Sequence, residues 1–364
     1  MESVVMKLFD NQYRGRRVLI TGHTGFKGSW LALWLTEMGA EVVGVALPPD
    51  TLPNHWDLLG LDILQYFHDI RDEQTVARIV VETKPEIIFH LAAQPLVRRS
   101  YRSPLETWST NVMGTANVLE ACRQVASVRA IVVVTTDKCY ENQEWPWGYR
   151  ETDKLGGHDP YSASKAATEL VVNSYRKAFF HEPDAPLLAT ARAGNVIGGG
   201  DWSEDRLIPD MVRSISKQLP LEIRSPEATR PWQHVLESLS GYLLLGQKLL
   251  ERRLECAGSW NFGPDPEGNR SVARVLRQLN THWPELTWQV SPHPQPHEAN
   301  LLYLDSTKAK AGLGWRPIWP LDKTLAVTAD WYRQHSSTGR VDSHAQLADY
   351  IYAAHAACVE WSKT

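Results

Sequence analysis

Short, unbroken apolar runs alternate with helical segments through the first half of the chain, and this alternation is the strongest constraint on its fold. Apolar runs occur at 17–21, 41–47, 63–69, 86–91, 130–135 and 187–192. Helical spacing of apolar residues appears at 26–38, 72–83, 105–125 and 161–180. Strands without a polar face are buried on both sides, which is typical of a parallel sheet covered by helices. The pattern therefore predicts an α/β fold with a Rossmann-type doubly wound parallel sheet.

The pattern changes after Asn195, where glycine, proline and tryptophan become frequent and the alternation is lost. This composition suits a smaller, loop-rich domain that closes over a ligand. We therefore predict a dinucleotide-binding domain over 1–196, to which 231–264 returns. A smaller C-terminal substrate-binding domain is predicted from 197–230 and 265–364. The length of 364 residues is sufficient for both units.

The overall composition argues against several classes of function. Lys and Arg total 38 against 42 Asp and Glu, so the net charge of −4 offers no basic face for nucleic acid or anionic lipid. No apolar run reaches the ~18 residues of a membrane span, and the first residues are too polar for a signal peptide. The four cysteines are far apart and lack metal-ligand spacing. We expect a cytoplasmic protein without a metal site and without nucleic-acid or membrane partners.

A glycine-rich stretch, TGHTGFKG at 21–28, follows the first predicted strand and opens the first predicted helix. Gly22, Gly25 and Gly28 would let the backbone approach a diphosphate, which the free N–H groups of the helix N-terminus attract. The spacing GxxGxxG differs from the commoner GxGxxG, and a tight structural turn is the alternative reading. Its position after the first strand of a βαβ unit favours a dinucleotide.

The residues near the end of the second predicted strand bear on which dinucleotide would bind. An acidic residue that holds the ribose hydroxyls usually ends this strand, but here the stretch is VALPP at 45–49, and Asp50 comes late. No arginine stands there for a 2′-phosphate either, which favours NAD. Asp69 and Ile70 close the third predicted strand, where a carboxylate can meet the adenine amino group. A helix-cap role for Asp69 is the alternative.

A tyrosine and a lysine four residues apart, Tyr161 and Lys165, share one face of a predicted helix. A nearby ammonium and a cationic nicotinamide both favour the phenolate, so Tyr161 is a candidate base for an alcohol that loses hydride. The pair alone is weak evidence, since such spacing arises by chance in a chain of this composition. Its weight comes from the glycine loop and from the polar end of the fifth strand, TTD at 135–137.

Taken together, these motifs resemble the extended short-chain dehydrogenase/reductases. The shared stretches are the glycine loop, LAAQ at 91–94, the pair Tyr161 and Lys165, and ARAGNV at 191–196. Within that family, the stretches at 22–31, 94–101, 135–142, 156–165 and 194–202 resemble the dehydratases that act on CDP-glucose. The resemblance extends from about Arg16 to Pro317 and is most specific in the first two hundred residues.

The resemblance implies roles for the strand-end residues Thr136, Asp137 and Lys138. Related sugar-nucleotide dehydratases carry Thr-Asp-Glu here, whereas this chain has Thr-Asp-Lys, as the CDP-glucose members do. Tyr161, helped by Thr136, would remove the 4-hydroxyl proton, neutral Lys138 would take the C5 proton, and protonated Asp137 would release the 6-hydroxyl as water. A lysine is a poor base unless its surroundings favour the neutral form. The alternative for Lys138 is a cation that pairs with Asp137 or with a substrate phosphate.

The resemblance also implies binding residues. Those for NAD are Gly22, Thr24, Gly25, Phe26, Lys27, Asp69, Ile70, Leu91, Ala92, Ala93, Tyr161 and Lys165. Those for CDP-glucose are Gln94, Arg98, Ser100, Asn195, Arg230 and Glu298, and Tyr101 is also expected near the sugar. Surface or structural ion pairs are the alternatives for Arg230 and Glu298. Packing is expected for Trp202, Trp232 and His90, support of the site for Asn111, and no chemical role for Cys139.

The resemblance further implies a homodimer in which the helices predicted at 105–125 and 161–180 form a four-helix bundle. It implies a place in dideoxyhexose synthesis for bacterial lipopolysaccharide O-antigen. Two other enzymatic functions stay open, another NDP-hexose 4,6-dehydratase and a 4-epimerase. A 4-epimerase has no use for the pair Asp137 and Lys138, which favours dehydration. A non-catalytic dinucleotide sensor is a distant alternative, because such a sensor can lose the pair Tyr161 and Lys165, which this chain keeps.

Overall fold

A seven-stranded parallel sheet forms the centre of the molecule in the computed structural model, which describes residues 7–292 and 301–363. The strand order is β11-β6-β5-β4-β1-β2-β3. Parallel pairing in sequence-distant order confirms the predicted doubly wound α/β fold. The sheet strands are β1 (Arg17–Thr21), β2 (Glu41–Ala46), β3 (Leu64–Phe67), β4 (Ile87–His90), β5 (Ala130–Val134), β6 (Leu187–Ala193) and β11 (Ser259–Phe262).

Three further strand pairs lie outside this sheet. β7 with β10 and β8 with β13 are parallel, and β9 with β12 is antiparallel. Their bounds are β7 (Val196–Ile197), β8 (Leu221–Ile223), β9 (Thr229–Pro231), β10 (Gln233–His234), β12 (Asn269–Ser271) and β13 (Trp288–Val290).

Helices cover both faces of the sheet and build most of the C-terminal half. Their bounds are α1 (Phe26–Glu37), α2 (His55–Leu59), α3 (Glu73–Thr83), α4 (Val97–Arg102), α5 (Pro104–Trp108), α6 (Gly114–Arg123), α7 (Pro160–Ala178), α8 (Leu207–Ser216), α9 (Val235–Leu250), α10 (Val272–His282), α11 (Thr307–Leu313), α12 (Leu321–Thr338) and α13 (Ser343–Ala356). None of the helices in the described ranges is both long enough and apolar enough to cross a membrane.

The helix predicted at 105–125 is interrupted by a π-helical turn, Ser109–Met113, between α5 and α6. The turn buries Asn111, which receives a hydrogen bond from the Gln94 backbone N–H at 2.8 Å and donates to the Ser164 hydroxyl at 2.8 Å. Such bulges occur often at functional sites. Asn111 thereby ties the strand-end loop to α7, as expected of a supporting residue.

Alternate residues of the strands face different helical layers, as the period of two requires. Val18 and Ile20 of β1 pack into a core with α1 and α9, whereas Leu19 packs into a second core with α3, α6 and α7. The first core also takes side chains from the C-terminal end of the chain, among them Leu347 and Trp361. Burial on both faces explains why these strands are continuously apolar.

The alternation does not end at Asn195, because one more helix and strand of the sheet, α9 and β11, lie in the segment 231–264 that was predicted to return to the first domain. α9 is followed by β11, which pairs in parallel with β6 and extends the sheet. α9 lies beneath the sheet and is buried almost all round, so its sequence lacks the polar stripe that marks a surface helix. The short strand β11 cannot be recognised from four residues alone.

Candidate active site

A large cleft opens along the carboxyl ends of the parallel strands, where ligands bind in open α/β sheets. Its volume is about 1120 Å³, which exceeds the upper end of the usual range for one small ligand, about 1,000 Å³. The glycine loop and α7 line one side, and residues from β7 to α8 line the other. The cleft therefore has room for a dinucleotide and a second ligand together.

The glycine loop is close-packed, and two of its glycines are required by contact distances. Gly22 has φ +80°, and a Cβ there would lie 2.7 Å from the Ala92 backbone nitrogen. A Cβ on Gly28 would lie 2.0 Å from the Gly22 carbonyl oxygen. Gly25 precedes α1, whose first-turn N–H groups lack helical partners and whose first residues, Phe26, Lys27 and Gly28, line the cleft. This geometry fits the diphosphate of a dinucleotide.

All the residues predicted to bind the dinucleotide line this cleft, from Gly22 in the first loop to Lys165 in α7. Asp69 is already paired, because Arg71 donates to both its carboxylate oxygens at 2.6–3.0 Å. These hydrogen bonds lower the pKa of the Asp69 carboxyl. Arg71 and His68 also line the cleft and were not predicted. Residues 46–50, from the end of β2 through the loop after it, line the cleft, so the first carboxylate after this strand that reaches the cleft is Asp50.

Tyr161 and Lys165 lie in the first turns of α7, which begins at Pro160 with the Asp159 side chain as its N-cap. Burial raises the pKa of the Tyr161 phenol to about 12, and the Thr136 hydroxyl opposes this shift. Burial lowers the pKa of Lys165 to about 8. The Lys165 ammonium donates to the Val134 carbonyl at 3.1 Å. In the protein alone the phenol is protonated, so a nearby cationic ligand is needed to make it a base.

Thr136, Asp137 and Lys138 form the start of a tight turn at the end of β5, where Asp137–Cys139 is a single 3₁₀ turn. The Thr136 hydroxyl donates to Asp137 Oδ1 at 3.0 Å and accepts from the Lys138 N–H at 3.3 Å. Thr136 and Lys138 line the cleft, and Asp137 is fully buried behind them. Lys138 Nζ lies 3.7 Å from Asp137 Oδ1 and its side chain is 23% exposed.

The second carboxylate oxygen of Asp137, Oδ2, is buried and lacks a hydrogen-bond partner among the described residues. This oxygen can therefore take a hydrogen-bonding partner from a ligand, since a buried polar atom is normally hydrogen-bonded. The turn thus places an amine and a buried carboxyl group side by side, next to the phenol of Tyr161. This arrangement can serve acid–base chemistry on two adjacent carbons.

Comparison with known proteins assigns the chain to a family. The family model described as GDP-mannose 4,6 dehydratase matches residues 19–328. The chain belongs to this dehydratase family. It is 47% identical over 94% of its length to CDP-glucose 4,6-dehydratase of Salmonella typhimurium, of which it covers 98%.

Solved structures of dehydratases and epimerases share the fold. A dTDP-glucose 4,6-dehydratase from Streptomyces venezuelae, solved with NAD and TYD bound, matches with a TM-score of 0.74 at 24% identity, covering 88% of this chain and 98% of that one. A UDP-glucose 4-epimerase from Thermus thermophilus in complex with NAD matches with a TM-score of 0.76 at 26% identity, covering 87% and 99%. The fold alone therefore does not separate dehydratases from epimerases, and the site residues must do so.

Four cationic side chains converge on the dehydratase cleft. Lys27 lies near Lys138, Lys165 and Arg206, and its ammonium donates to the Tyr242 hydroxyl at 3.1 Å. Burial, together with the charge of Arg206, lowers the pKa of Lys27 to about 7. Arg206 is itself paired with Asp201 at 3.0 Å. Without a ligand, burial and mutual repulsion make these charges unfavourable, and an anionic ligand would neutralise them.

Replacing Lys27 with methionine should therefore stabilise the ligand-free protein while weakening its binding of anionic ligands. Below pH 7, Lys27 is charged in both the folded and the unfolded chain, so the free energy of unfolding is lowered by the full cost of burying the charge. This cost falls as the pH rises from 7 and disappears near 10.5, the ordinary pKa of a lysine, because the pKa is lower in the folded state. The side chain keeps some exposure, so we expect a gain of roughly 1–2 kcal/mol at pH 6, shrinking by pH 10. Thermal unfolding from pH 6 to 10 measures it. A variant that is less stable at pH 6 would contradict this account.

The predicted substrate residues divide into three groups. Gln94, Arg98, Asn195 and Arg230 line the cleft. Ser100 is fully buried, and its hydroxyl donates to the Val97 carbonyl at 2.6 Å within α4, so in the described structure it does not reach the cleft. Glu298 lies outside the described residues.

Asp205 and Arg224 also line the cleft and were missed by sequence reasoning. Arg224 donates to Asp205 at 2.5 Å, and Arg98 lies 3.3 Å from the same carboxylate oxygen. The Asp205 carboxylate thus binds two arginines, Arg98 and Arg224, that are far apart in the sequence. No motif spacing relates these three positions, so only the structure brings them together.

The residues expected to pack are buried. Trp202 packs against Trp331 and Tyr332, and Trp232 donates from its indole N–H to the Arg270 carbonyl at 2.9 Å. His90 bonds to the hydroxyls of Thr21 and Thr115 inside the sheet. Cys139 is buried, which raises its thiol pKa above the ordinary range, and this agrees with the absence of a chemical role.

Proposed function

We propose that the protein converts CDP-glucose to CDP-4-keto-6-deoxyglucose and water with bound NAD. The observation that carries this proposal is the pair Asp137 and Lys138 at the end of β5, beside Tyr161 and Lys165. The 47% identity to the Salmonella typhimurium CDP-glucose 4,6-dehydratase supports the choice of substrate. The enzyme is accordingly a hydro-lyase.

Tyr161 acts at the C4 hydroxyl of the sugar. Its phenolate takes the hydroxyl proton, and Lys165 and Thr136 stabilise the negative charge on the phenolate oxygen. The chemistry that NAD would supply when bound is to accept the hydride from C4 and later to return it to C6. The cleft residues from Gly22 to Ala93 would hold the cofactor, and Tyr161 and Lys165 of α7 line the same cleft.

Lys138 and Asp137 act on the next two carbons. The 4-ketone makes the C5–H acidic, and the neutral amine of Lys138 takes that proton. Asp137, in its protonated form, gives its proton to the departing 6-hydroxyl, which leaves as water. One proton is thus taken at C5 and one is given at O6. As C6 accepts the hydride, the ammonium of Lys138 returns a proton to C5 and becomes neutral again. The proton that Tyr161 took from the C4 hydroxyl balances the one that Asp137 gave to the leaving water, and both groups return to their starting states by exchange with solvent.

A 4-epimerase shares Tyr161 and Lys165 but needs no acid and base for C5 and C6. The buried carboxyl of Asp137 and the adjacent amine of Lys138 would have no task in epimerisation. Their placement therefore favours dehydration over the epimerase alternative.

A panel of nucleotide hexoses tests the proposal. CDP-, dTDP-, GDP- and UDP-glucose are each incubated with the protein and NAD, and the 4-keto-6-deoxy product is followed by its alkali-induced absorbance. We expect product from CDP-glucose at the highest rate. Product from none of them would overturn the proposed function, and a clear preference for another nucleotide would overturn the proposed substrate.

We also propose that the protein is a homodimer. α5 and α6 pack against α7, and these helices carry exposed apolar side chains. The exposed residues are Leu105 (82%) and Trp108 (39%) of α5, Met113 (57%) of the π-helical turn and Leu170 (60%) of α7. Apolar surface concentrated on neighbouring helical segments is typical of an interface. A second copy would bury it in the four-helix bundle expected from the family resemblance.

Replacing Leu170 with glutamate should convert the dimer to a monomer, because a charge would be buried in the apolar interface. Light scattering at micromolar concentration measures the mass. Leu219→Glu is a matched control, since Leu219 is similarly exposed at 59% but lies in the connection between α8 and β8. A wild-type monomer, or equal masses for both variants, would contradict the proposed interface.

The remaining proposals concern organisation and cellular context. We infer that 1–196 with 231–264 binds the dinucleotide and that 197–230 with 265–364 binds the substrate. The placement of the glycine loop in the first segment and of Asp205 and Arg224 in the second supports this division. We place the enzyme in the cytoplasm, in dideoxyhexose synthesis for O-antigen, a role supported by the nature of its proposed product.

A further inference from the structure

A buried ion pair lies directly behind the turn that carries Asp137 and Lys138. Arg192 of β6 donates from Nε to Glu169 Oε1 at 2.9 Å and from Nη2 to Oε2 at 2.8 Å. Both side chains are 2% exposed. Apolar residues of similar size often replace such a pair without loss of stability. Stability alone is therefore a poor explanation for its presence at this position.

The ion pair holds the chain on both sides of the catalytic turn. Before the turn, the Thr135 hydroxyl donates to Glu169 Oε1 at 2.6 Å. After it, the Tyr140 hydroxyl accepts from Arg192 Nη1 at 2.7 Å and donates to Asn261 at 2.8 Å. The residues from Thr136 to Cys139 lie between these two attachments. The turn thus begins and ends at side chains fixed to one ion pair.

One member of the ion pair, Glu169, belongs to the helix that carries the other catalytic groups. Glu169 lies four residues after Lys165 and eight after Tyr161, so the three share one face of α7. Two steps of the proposed reaction use groups from different elements, Tyr161 from α7 at C4 and Lys138 from the turn at C5. The distance between helix and turn must therefore be fixed, because a displacement of about 1 Å can cost roughly a hundredfold in rate.

We propose that the pair Glu169 and Arg192 is a positioning unit that sets the turn of Asp137 and Lys138 relative to Tyr161 and Lys165. Thr135 and Tyr140 are its two attachments to the turn. All four side chains are buried. Thr135 also lines the cleft, whereas Glu169, Arg192 and Tyr140 do not and act through the catalytic residues. The kinetic consequence of this proposal, slower water elimination, rests on the proposed function. Its structural consequence, the fixed position of the turn, does not.

The test removes one attachment and spares the ion pair, since loss of Glu169 or Arg192 would leave a buried charge unpaired and endanger folding. Thr135→Val removes the hydroxyl and keeps the side-chain shape. Thr190→Val is the matched control: Thr190 is equally buried and donates to the same carboxylate at 2.8 Å, but it lies on β6, apart from the turn. Thr135→Ser keeps the hydroxyl and should restore the wild-type behaviour.

The kinetic readout is the absorbance of reduced nicotinamide after the protein is mixed with NAD and CDP-glucose. In Thr135→Val we expect this absorbance to appear at close to the wild-type rate and to decay roughly tenfold or more slowly, because water elimination is impaired while C4 oxidation is kept. Thr190→Val should show no such split. A merely structural role would slow both phases alike in the two variants, and that result would overturn the proposal.

Amide hydrogen exchange in the ligand-free protein gives a second readout that needs no catalysis. We expect the segment 135–140 to exchange faster in Thr135→Val and in Tyr140→Phe than in Thr190→Val of similar global stability. Equal exchange in all three variants would overturn the proposal. Wild-type protein that dehydrates no nucleotide hexose would instead defeat the proposed function, and the exchange result would still decide whether the pair fixes the turn.

Discussion

Replacing Lys138 with alanine should stop water elimination while C4 oxidation continues. The amine is the proposed base at C5, and a positioned base contributes about 10²- to 10⁴-fold. The ketone formed at C4 would then persist, because removal of the C5 proton is blocked. Rapid mixing with CDP-glucose and NAD should show reduced nicotinamide that accumulates, and the rate of 4-keto-6-deoxy product should fall by that factor.

Lys138→Arg separates proton transfer from charge. Arginine keeps a cation near Asp137 and near any phosphate but does not give up its proton in proteins. If Lys138 is the base, Lys138→Arg should fail at elimination as Lys138→Ala does, while both variants still bind CDP-glucose. Full activity of Lys138→Arg, or an equal loss of oxidation and elimination in Lys138→Ala, would show that the side chain serves only to hold charge.

Replacing Tyr161 with phenylalanine should block the reaction one step earlier. The phenol is the proposed base at the C4 hydroxyl, so the rate at which reduced nicotinamide appears should fall about 10²- to 10⁴-fold, with CDP-glucose binding largely kept. Burial holds the pKa of Tyr161 at about 12 in the ligand-free protein. The oxidation rate of the wild type should therefore rise with pH until the phenol is ionised in the complex.

Tyr175→Phe is the control for this experiment. Tyr175 lies on the same helix, but its hydroxyl donates to Glu120 at 3.2 Å on the side away from the cleft. The Tyr175→Phe substitution should leave the oxidation rate within about threefold of the wild type. An oxidation rate in Tyr161→Phe that matches Tyr175→Phe would remove Tyr161 from the mechanism.

The sheet was largely predictable from the sequence because its strands have no polar face. β1 is found with the predicted bounds at Arg17–Thr21, and burial on both sides explains its unbroken apolar run. β3 is shorter than predicted, since it is an edge strand whose Leu64 and Phe67 stay exposed. β11 was missed because its place is set by pairing with β6, a long-range contact that leaves no local pattern.

The candidate site was predictable where local motifs carry the geometry. The glycine loop and the helical pair Tyr161 and Lys165 depend on spacing along the chain, and both line the cleft. Arg206 and Asp205 depend on how the chain returns to the cleft after β7, which spacing does not reveal. Ser100 was placed by resemblance alone, and its internal hydrogen bond within α4 turns it away from the cleft.

The most direct test of the central claim follows one hydrogen atom. CDP-glucose carrying deuterium at C4 is converted in ordinary water, and the product is examined by NMR. We predict deuterium at C6 of the 4-keto-6-deoxy sugar, because Tyr161 and Lys138 transfer only protons while the C4 hydrogen returns as hydride to the same sugar. Deuterium that stays at C4, with a galactose-configured product, or deuterium that is lost to water would contradict it.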